Sequence, residues 1–122
     1  MPTILLVEDS PTEAYVIADI LARHGYQTLT AATGEEGIDM ARNHRPDLIL
    51  MDVVMPGLNG FQTTRKLAKD EQTAHIPVIV VSSKDQDTDR IWAIRQGARD
   101  YIVKPVKEDL LIDRVQAHLA QI

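Results

Sequence analysis

No cysteine occurs among the 122 residues, so neither a disulfide nor a thiolate metal site is available, a composition suited to a reducing compartment. A basic stripe is missing too: 13 Lys and Arg against 18 Asp and Glu leave a formal charge of −5. Counterion release from nucleic-acid phosphates needs clustered cations, so general nucleic-acid binding is not expected. No apolar run approaches the roughly 20 residues that span a bilayer. The opening segment MPTILLVED turns acidic after a short apolar stretch and has neither a basic leader nor a cleavage site. A cytoplasmic location with no membrane contact is the expectation. Linkers, internal repeats and low-complexity tracts are also lacking. With 44% hydrophobic and 25% charged residues, residues 1–122 are expected to form one globular domain.

What the chain does contain is an alternation of short apolar runs and amphipathic stretches. Runs at 3–7, 27–31, 47–51, 78–82 and 100–103 read as strands. The first, third and fourth are almost continuous in Ile, Leu, Val and Met, as in strands buried on both faces of a parallel sheet. The second carries Gln27, Thr28 and Thr30, which places it at an edge. Ser10, Pro11 and Glu13 supply an N-cap, a proline at N1 and a capping-box acid. The apolar spacing of Ala14, Ile17, Ala18 and Leu21 then predicts a first helix from Pro11 to His24. Thr33 with Glu36 and Asn59 with Gln62 cap the second and third helices. Gly25 and Gly97 are placed to end the first and fourth, and Leu111, Val115 and Leu119 form the buried stripe of the last. The pattern is (βα)5, an α/β fold whose right-handed crossovers give a doubly wound, flavodoxin-like five-stranded parallel sheet of order 2-1-3-4-5.

In such a sheet ligands bind beyond the carboxyl ends of the strands, where the strand order reverses. Glu8 and Asp9 follow the first strand and Asp52 follows the third. Adjacent strands lie about 4.8 Å apart, so these carboxylates converge and would repel each other uncompensated. An oxygen-only cluster without His or Cys points to a hard cation, Mg2+ or Mn2+. Its expected ligands are Asp9 and Asp52 directly, Glu8 through water, and the backbone carbonyl of Val54. Asp52 stands alone beside the flexible loop VVMPGLNG and is the expected nucleophile toward a phosphoryl group. Lys104, ending the fifth strand, offers a positive charge to the phosphate oxygens, and Ser82, ending the fourth, offers a hydroxyl. Each residue alone has an ordinary explanation, as a cap, a solvated lysine or a core hydroxyl. Their convergence on one sheet edge is the signal. His24, His44, His75 and His118 are scattered over helix ends and loops and are expected at the surface.

The segments LLVEDS, DLILMDVVMPGLNG, PVIVVSS and GARDYIVKP occur in that order, and over its whole length the chain resembles the receiver domain of two-component response regulators. The resemblance implies that Asp52 is the phosphoacceptor, that Glu8 and Asp9 are the acidic metal-site pair, and that Lys104 contacts the phosphate. It further implies that Ser82 is the switch hydroxyl, that Tyr101 is an aromatic that turns inward on phosphorylation, and that the Lys104–Pro105 bond is cis. Glu8 replaces the aspartate common in the family, a longer arm that favours a water-mediated contact. Val54 and Lys84 occupy positions that tune water access to the acyl phosphate, and apolar Val54 is expected to slow hydrolysis.

Within that family SPTE, DVVMPGLNGFQTTRKL and SSKDQDTDRIWAIRQGARDYIVKPV look most like the small stand-alone PilH-type regulators of type IV pilus twitching motility. That likeness implies a CheA-like sensor histidine kinase or phosphotransfer domain as donor. No output domain is expected, so a downstream protein target or a phosphate-sink role would carry the signal. The face of the fourth helix, fifth strand and fifth helix, with Trp92, Ile94, Tyr101 and Val106, is the expected partner or weak-dimer contact, the chain otherwise being a monomer. The protein would not be a conventional enzyme, though it would promote its own phosphorylation and dephosphorylation. A haloacid-dehalogenase-like phosphatase needs a second acid two residues after the nucleophile, where Val54 stands. A flavodoxin-like carrier needs a first loop that cradles phosphate, and EDSPTE would repel it.

Overall fold

The computed structural model describes residues 1–120. Five strands alternate with five helices: β1 (Thr3–Val7), α1 (Pro11–Arg23), β2 (Gln27–Ala31), α2 (Gly34–His44), β3 (Leu48–Asp52), α3 (Gly60–Lys69), β4 (Val78–Ser82), α4 (Asp87–Arg95), β5 (Asp100–Val103) and α5 (Glu108–Leu119). The sheet has the expected order β2-β1-β3-β4-β5, and every pairing is parallel. β3 and β4 are buried at every position, whereas β2 is half exposed at the edge. Among the described residues no helix is long and apolar enough to cross a membrane.

Alternation along the strands divides the core in two. Leu5, Val7, Ile49, Met51, Val78, Val80 and Tyr101 pack with Ile38, Ala41, Leu67 and Ala93 from α2, α3 and α4. Ile4, Leu6, Leu48, Leu50, Ile79, Val81 and Ile102 pack with Ile17, Leu21, Leu111 and Val115 from α1 and α5. Each fully buried aliphatic side chain contributes about 1.5–3 kcal/mol of transfer free energy, so both layers hold the sheet.

Two boundaries differ from the sequence reading. α1 stops at Arg23, with His24 as its C-cap, and Gly25 follows at φ 87°, in the left-handed region open to glycine. β3 begins at Leu48, one residue later than expected, because Asp47 is occupied at the strand's start. Its carboxylate accepts from the Thr3 N–H at 2.8 Å and its own N–H donates to the Thr3 carbonyl at 2.8 Å. The shift makes Asp52 the last residue of the strand.

His118 corrects the expectation that all four histidines lie at the surface. Its side chain is 13% exposed and its Nε2 lies 3.0 Å from Asp100 Oδ2. Asp100 opens β5 largely buried, and a buried carboxylate needs partners. Arg114 Nη1 donates to it at 2.7 Å and the Tyr101 N–H at 2.8 Å. Burial pushes the Asp100 carboxyl up, but the Tyr101 N–H, His118 and Arg114 outweigh it and hold the group below the usual carboxylate range. A depressed carboxylate contributes stability above its unfolded pKa and loses it as pH falls through the folded one. Asp100→Asn is therefore expected to lower unfolding free energy at pH 7 by about 1–3 kcal/mol. In denaturant melts the gap from wild type should close as pH falls below about 4.

Candidate functional site

Parallel register brings the ends of β1, β3, β4 and β5 to one edge. Val7 pairs with Met51, Asp52 with Val81, and Ser82 with Val103. Glu8 extends β1, its N–H donating to the Ala31 carbonyl at 2.9 Å. Lys104 extends β5 through a 2.8 Å bond from its N–H to the Ser82 carbonyl, and the Lys104–Pro105 bond is cis. Backbone ladders thus place all four side chains before any side-chain interaction is formed.

Glu8 and Asp52 are buried, at 4% and 7% exposure, while Asp9 is exposed. One oxygen from each of the three can be found within 4.8 Å of the others. Lys104 Nζ stands among the carboxylates, 2.8 Å from Glu8 Oε1 and 3.2 Å from Asp52 Oδ1. Burial pushes the Glu8 carboxyl up, with Lys104 and the Ser10 N–H opposing it and Asp52 adding repulsion, and the net displacement is upward. Burial alone would lower the Lys104 ammonium, but Glu8, Glu13 and Asp52 hold its pKa well above the ordinary lysine value. One cation against Glu8, Asp9, Glu13 and Asp52 leaves the cluster with excess negative charge. An all-oxygen set with that imbalance fits a hard divalent cation.

Glu13 is the residue that the sequence reading misplaced. The capping box assigns its carboxylate to the Ser10 N–H, yet that N–H donates to Glu8 Oε2 at 3.2 Å. The other half of the box does form, with the Ser10 hydroxyl accepting from the Glu13 N–H at 3.3 Å. Relieved of the cap, Glu13 Oε1 lies 3.0 Å from Lys104 Nζ. Local spacing reported the cap, whereas the competing partner comes from the opposite end of the chain.

Ser82 is fully buried, and its hydroxyl accepts from the Lys84 N–H at 3.1 Å. Tyr101 is already turned in, 3% exposed, its hydroxyl donating to the Lys84 carbonyl at 2.7 Å. The ring is therefore inward in this structure. The reason lies in the inward hydrogen bond together with Arg90, whose guanidinium carbon sits 5.5 Å from the ring centroid. Burial raises the Tyr101 pKa. Val54 lies in the loop beyond Asp52 with 62% of its surface exposed, and Trp92 and Ile94 are exposed at 50% and 47% on α4.

A groove of about 1040 Å3 between α2 and α3 is lined by residues such as Arg42, Arg65 and Lys69 and contains none of the cluster. A group received on an open sheet edge needs no enclosed cavity. What the edge does need is room for α3. Gly60 opens that helix with its N–H on the Val53 carbonyl at 2.9 Å, and a Cβ there would lie 2.1 Å from the Asp52 carbonyl oxygen. Gly60→Ala is accordingly expected to destabilise the fold by about 1–3 kcal/mol. A chemical-shift map of the variant should show Asp52 and Val53 displaced.

The response regulator receiver domain family matches residues 4–116. Protein PilH of Pseudomonas aeruginosa is 55% identical over 98% of this chain and 99% of its own length. A solved receiver domain of a Pseudomonas aeruginosa sensor histidine kinase, with a magnesium ion coordinated in its active-site cleft, superposes with a TM-score of 0.91 at 32% identity, covering 98% of each chain. A CheY-like receiver domain protein from Methanospirillum hungatei superposes with a TM-score of 0.90 at 27% identity, over 98% of this chain and 94% of that one.

Proposed function

The chain belongs to the response regulator receiver family, and on that footing we propose that Asp52 accepts a phosphoryl group from a phosphohistidine. The donor is a CheA-like sensor histidine kinase or its phosphotransfer domain. The observation that carries this reading is the placement of Asp52 at the carboxyl edge, 3.2 Å from Lys104 Nζ and inside an acidic trio able to close to 4.8 Å. An Asp52 carboxylate oxygen forms the new P–O bond as the P–N bond of the donor breaks. The bonding pair leaves with the imidazole nitrogen, which is then protonated. Lys104 meets the charge on the phosphoryl oxygens, and the Ser82 hydroxyl turns from the Lys84 N–H to donate to one of them. Asp9, Asp52, the Val54 carbonyl and, through water, Glu8 would hold Mg2+ or Mn2+. When bound, that ion supplies further neutralisation of the transferring group.

The aspartyl phosphate carries roughly −1.5 to −2 charges, by analogy with other phosphorylated side chains. Ser82 and Tyr101 share Lys84 as a hydrogen-bond partner, so movement of Ser82 is passed to Tyr101 and to the face of α4, β5 and α5. Exposed Trp92 and Ile94 support that face as the contact for a downstream protein. Identity to PilH supports a role as a single-domain regulator in the cytoplasm, controlling twitching motility through type IV pili.

Two measurements test this reading. Incubation with acetyl phosphate and Mg2+ should add one phosphoryl group, roughly 80 Da by intact mass, labile to base and lost with chelator or in Asp52→Ala. An unlabelled wild type, or an equally labelled Asp52→Ala, would remove the assignment. For the phosphorylated protein, Val54→Asn is expected to shorten the lifetime several-fold, because an amide beside the site can orient the attacking water. An unchanged lifetime contradicts that role.

A further inference from the structure

We infer that Glu13 is a positioning residue that holds Lys104 in reserve and slows entry of the phosphoryl group at Asp52. The inference rests on the phosphoacceptor reading of Asp52 and adds a control on it.

An ammonium has three N–H donors. Three carboxylates lie within reach of Lys104 Nζ, Glu8 at 2.8 Å, Glu13 at 3.0 Å and Asp52 at 3.2 Å. Nζ donates hydrogen bonds to Glu8 and Asp52 and lies at ion-pair distance from Glu13, so an arriving phosphoryl oxygen competes with three carboxylates and Lys104 must release a partner or reorient among them. The three are unequal in what release entails. Glu8 has a side chain 1% exposed, and without Lys104 it would be a buried, uncompensated charge. Asp52, at 9%, is the acceptor itself. Glu13 is 49% exposed, so water readily replaces the ammonium around it. Glu13 is therefore the partner that yields.

The broken capping box is an independent sign of the same role. Because Glu8 takes the Ser10 N–H, the first turn of α1 does not need the Glu13 carboxylate, and that group is free to release Lys104 and reclaim it. Until it yields, its negative charge also opposes an anionic donor. Removal of the charge should thus speed phosphorylation, although Glu13 supports a residue of the site.

The test compares initial labelling rates with acetyl phosphate and Mg2+ at low ionic strength for wild type, Glu13→Gln, Glu13→Asp, Asp19→Asn and Asp52→Ala. Glu13→Gln is expected to label about two- to fivefold faster, the scale of one half-exposed ion pair, with the gain shrinking as salt is added. Glu13→Asp, which restores the charge, should return most of the slowing. Asp19→Asn removes an α1 charge whose partner is Arg23 and should leave the rate unchanged. A Glu13→Gln rate equal to or below wild type, a Glu13→Asp rate as fast as Glu13→Gln, or the same gain in Asp19→Asn would each overturn the inference. An unlabelled wild type or a labelled Asp52→Ala would instead remove the reading beneath it.

Discussion

Like charges gathered on one edge of a sheet are the constraint around which this molecule is organised. Five parallel strands deliver their carboxyl ends to the same side, and the residues that follow β1 and end β3 are acids. Burial of Glu8 and Asp52 is tolerable only because Lys104 arrives from the far end of the chain, 96 positions from Glu8. The ammonium can reach them because β5 lies in register beside β4, and β4 beside β3. The sheet order is therefore an electrostatic requirement as much as a packing solution. One ammonium does not balance four carboxylates, and that shortfall is the charge imbalance that a hard cation would meet.

The structure also separates what holds the domain from what can move within it. α1 buries Ile17, Ile20 and Leu21, and α5 buries Leu111, Ile112 and Val115. α4 buries Ala93 alone among its nine residues, and one buried methyl contributes only about 0.8 kcal/mol. Arg90 adds its stacking on Tyr101. A helix attached so lightly can be displaced by an event worth a few kcal/mol, the scale on which two-state switches operate. Tyr101 connects this loosely held helix to Lys84, and through Lys84 to Ser82.

Much of this was legible in the sequence because it is local. Period-2 and period-3.6 patterns set the elements, the proline at α1 and the pairs Thr33 with Glu36 and Asn59 with Gln62 set helix starts, and continuous apolar runs marked the central strands. Asp52, Ser82 and Lys104 were visible because each follows or ends such a run. The misreadings share a physical cause, a local signal overridden by a partner distant in sequence. Asp47 was read as strand, but its carboxylate is claimed by Thr3. Glu13 was read as a cap, but its carboxylate is drawn to Lys104 from the far end of the chain. His118 was read as a surface residue, but Asp100 draws it inward. In Tyr101 the inward pose depends on a carbonyl supplied by the loop at Lys84, which side-chain periodicity cannot report.

The two-sided core bears on how such a domain can diverge. The layer beneath α1 and α5 and the layer beneath α2, α3 and α4 are separated by the sheet itself, and substitutions that share no partner tend to add independently. Tyr101 and Met51 belong to the second layer. A lineage can exchange Ile17, Leu111 or Val115 for other aliphatics while the packing around the tyrosine is inherited intact. One layer can drift while the other is held, because the two rest on opposite faces of a single sheet.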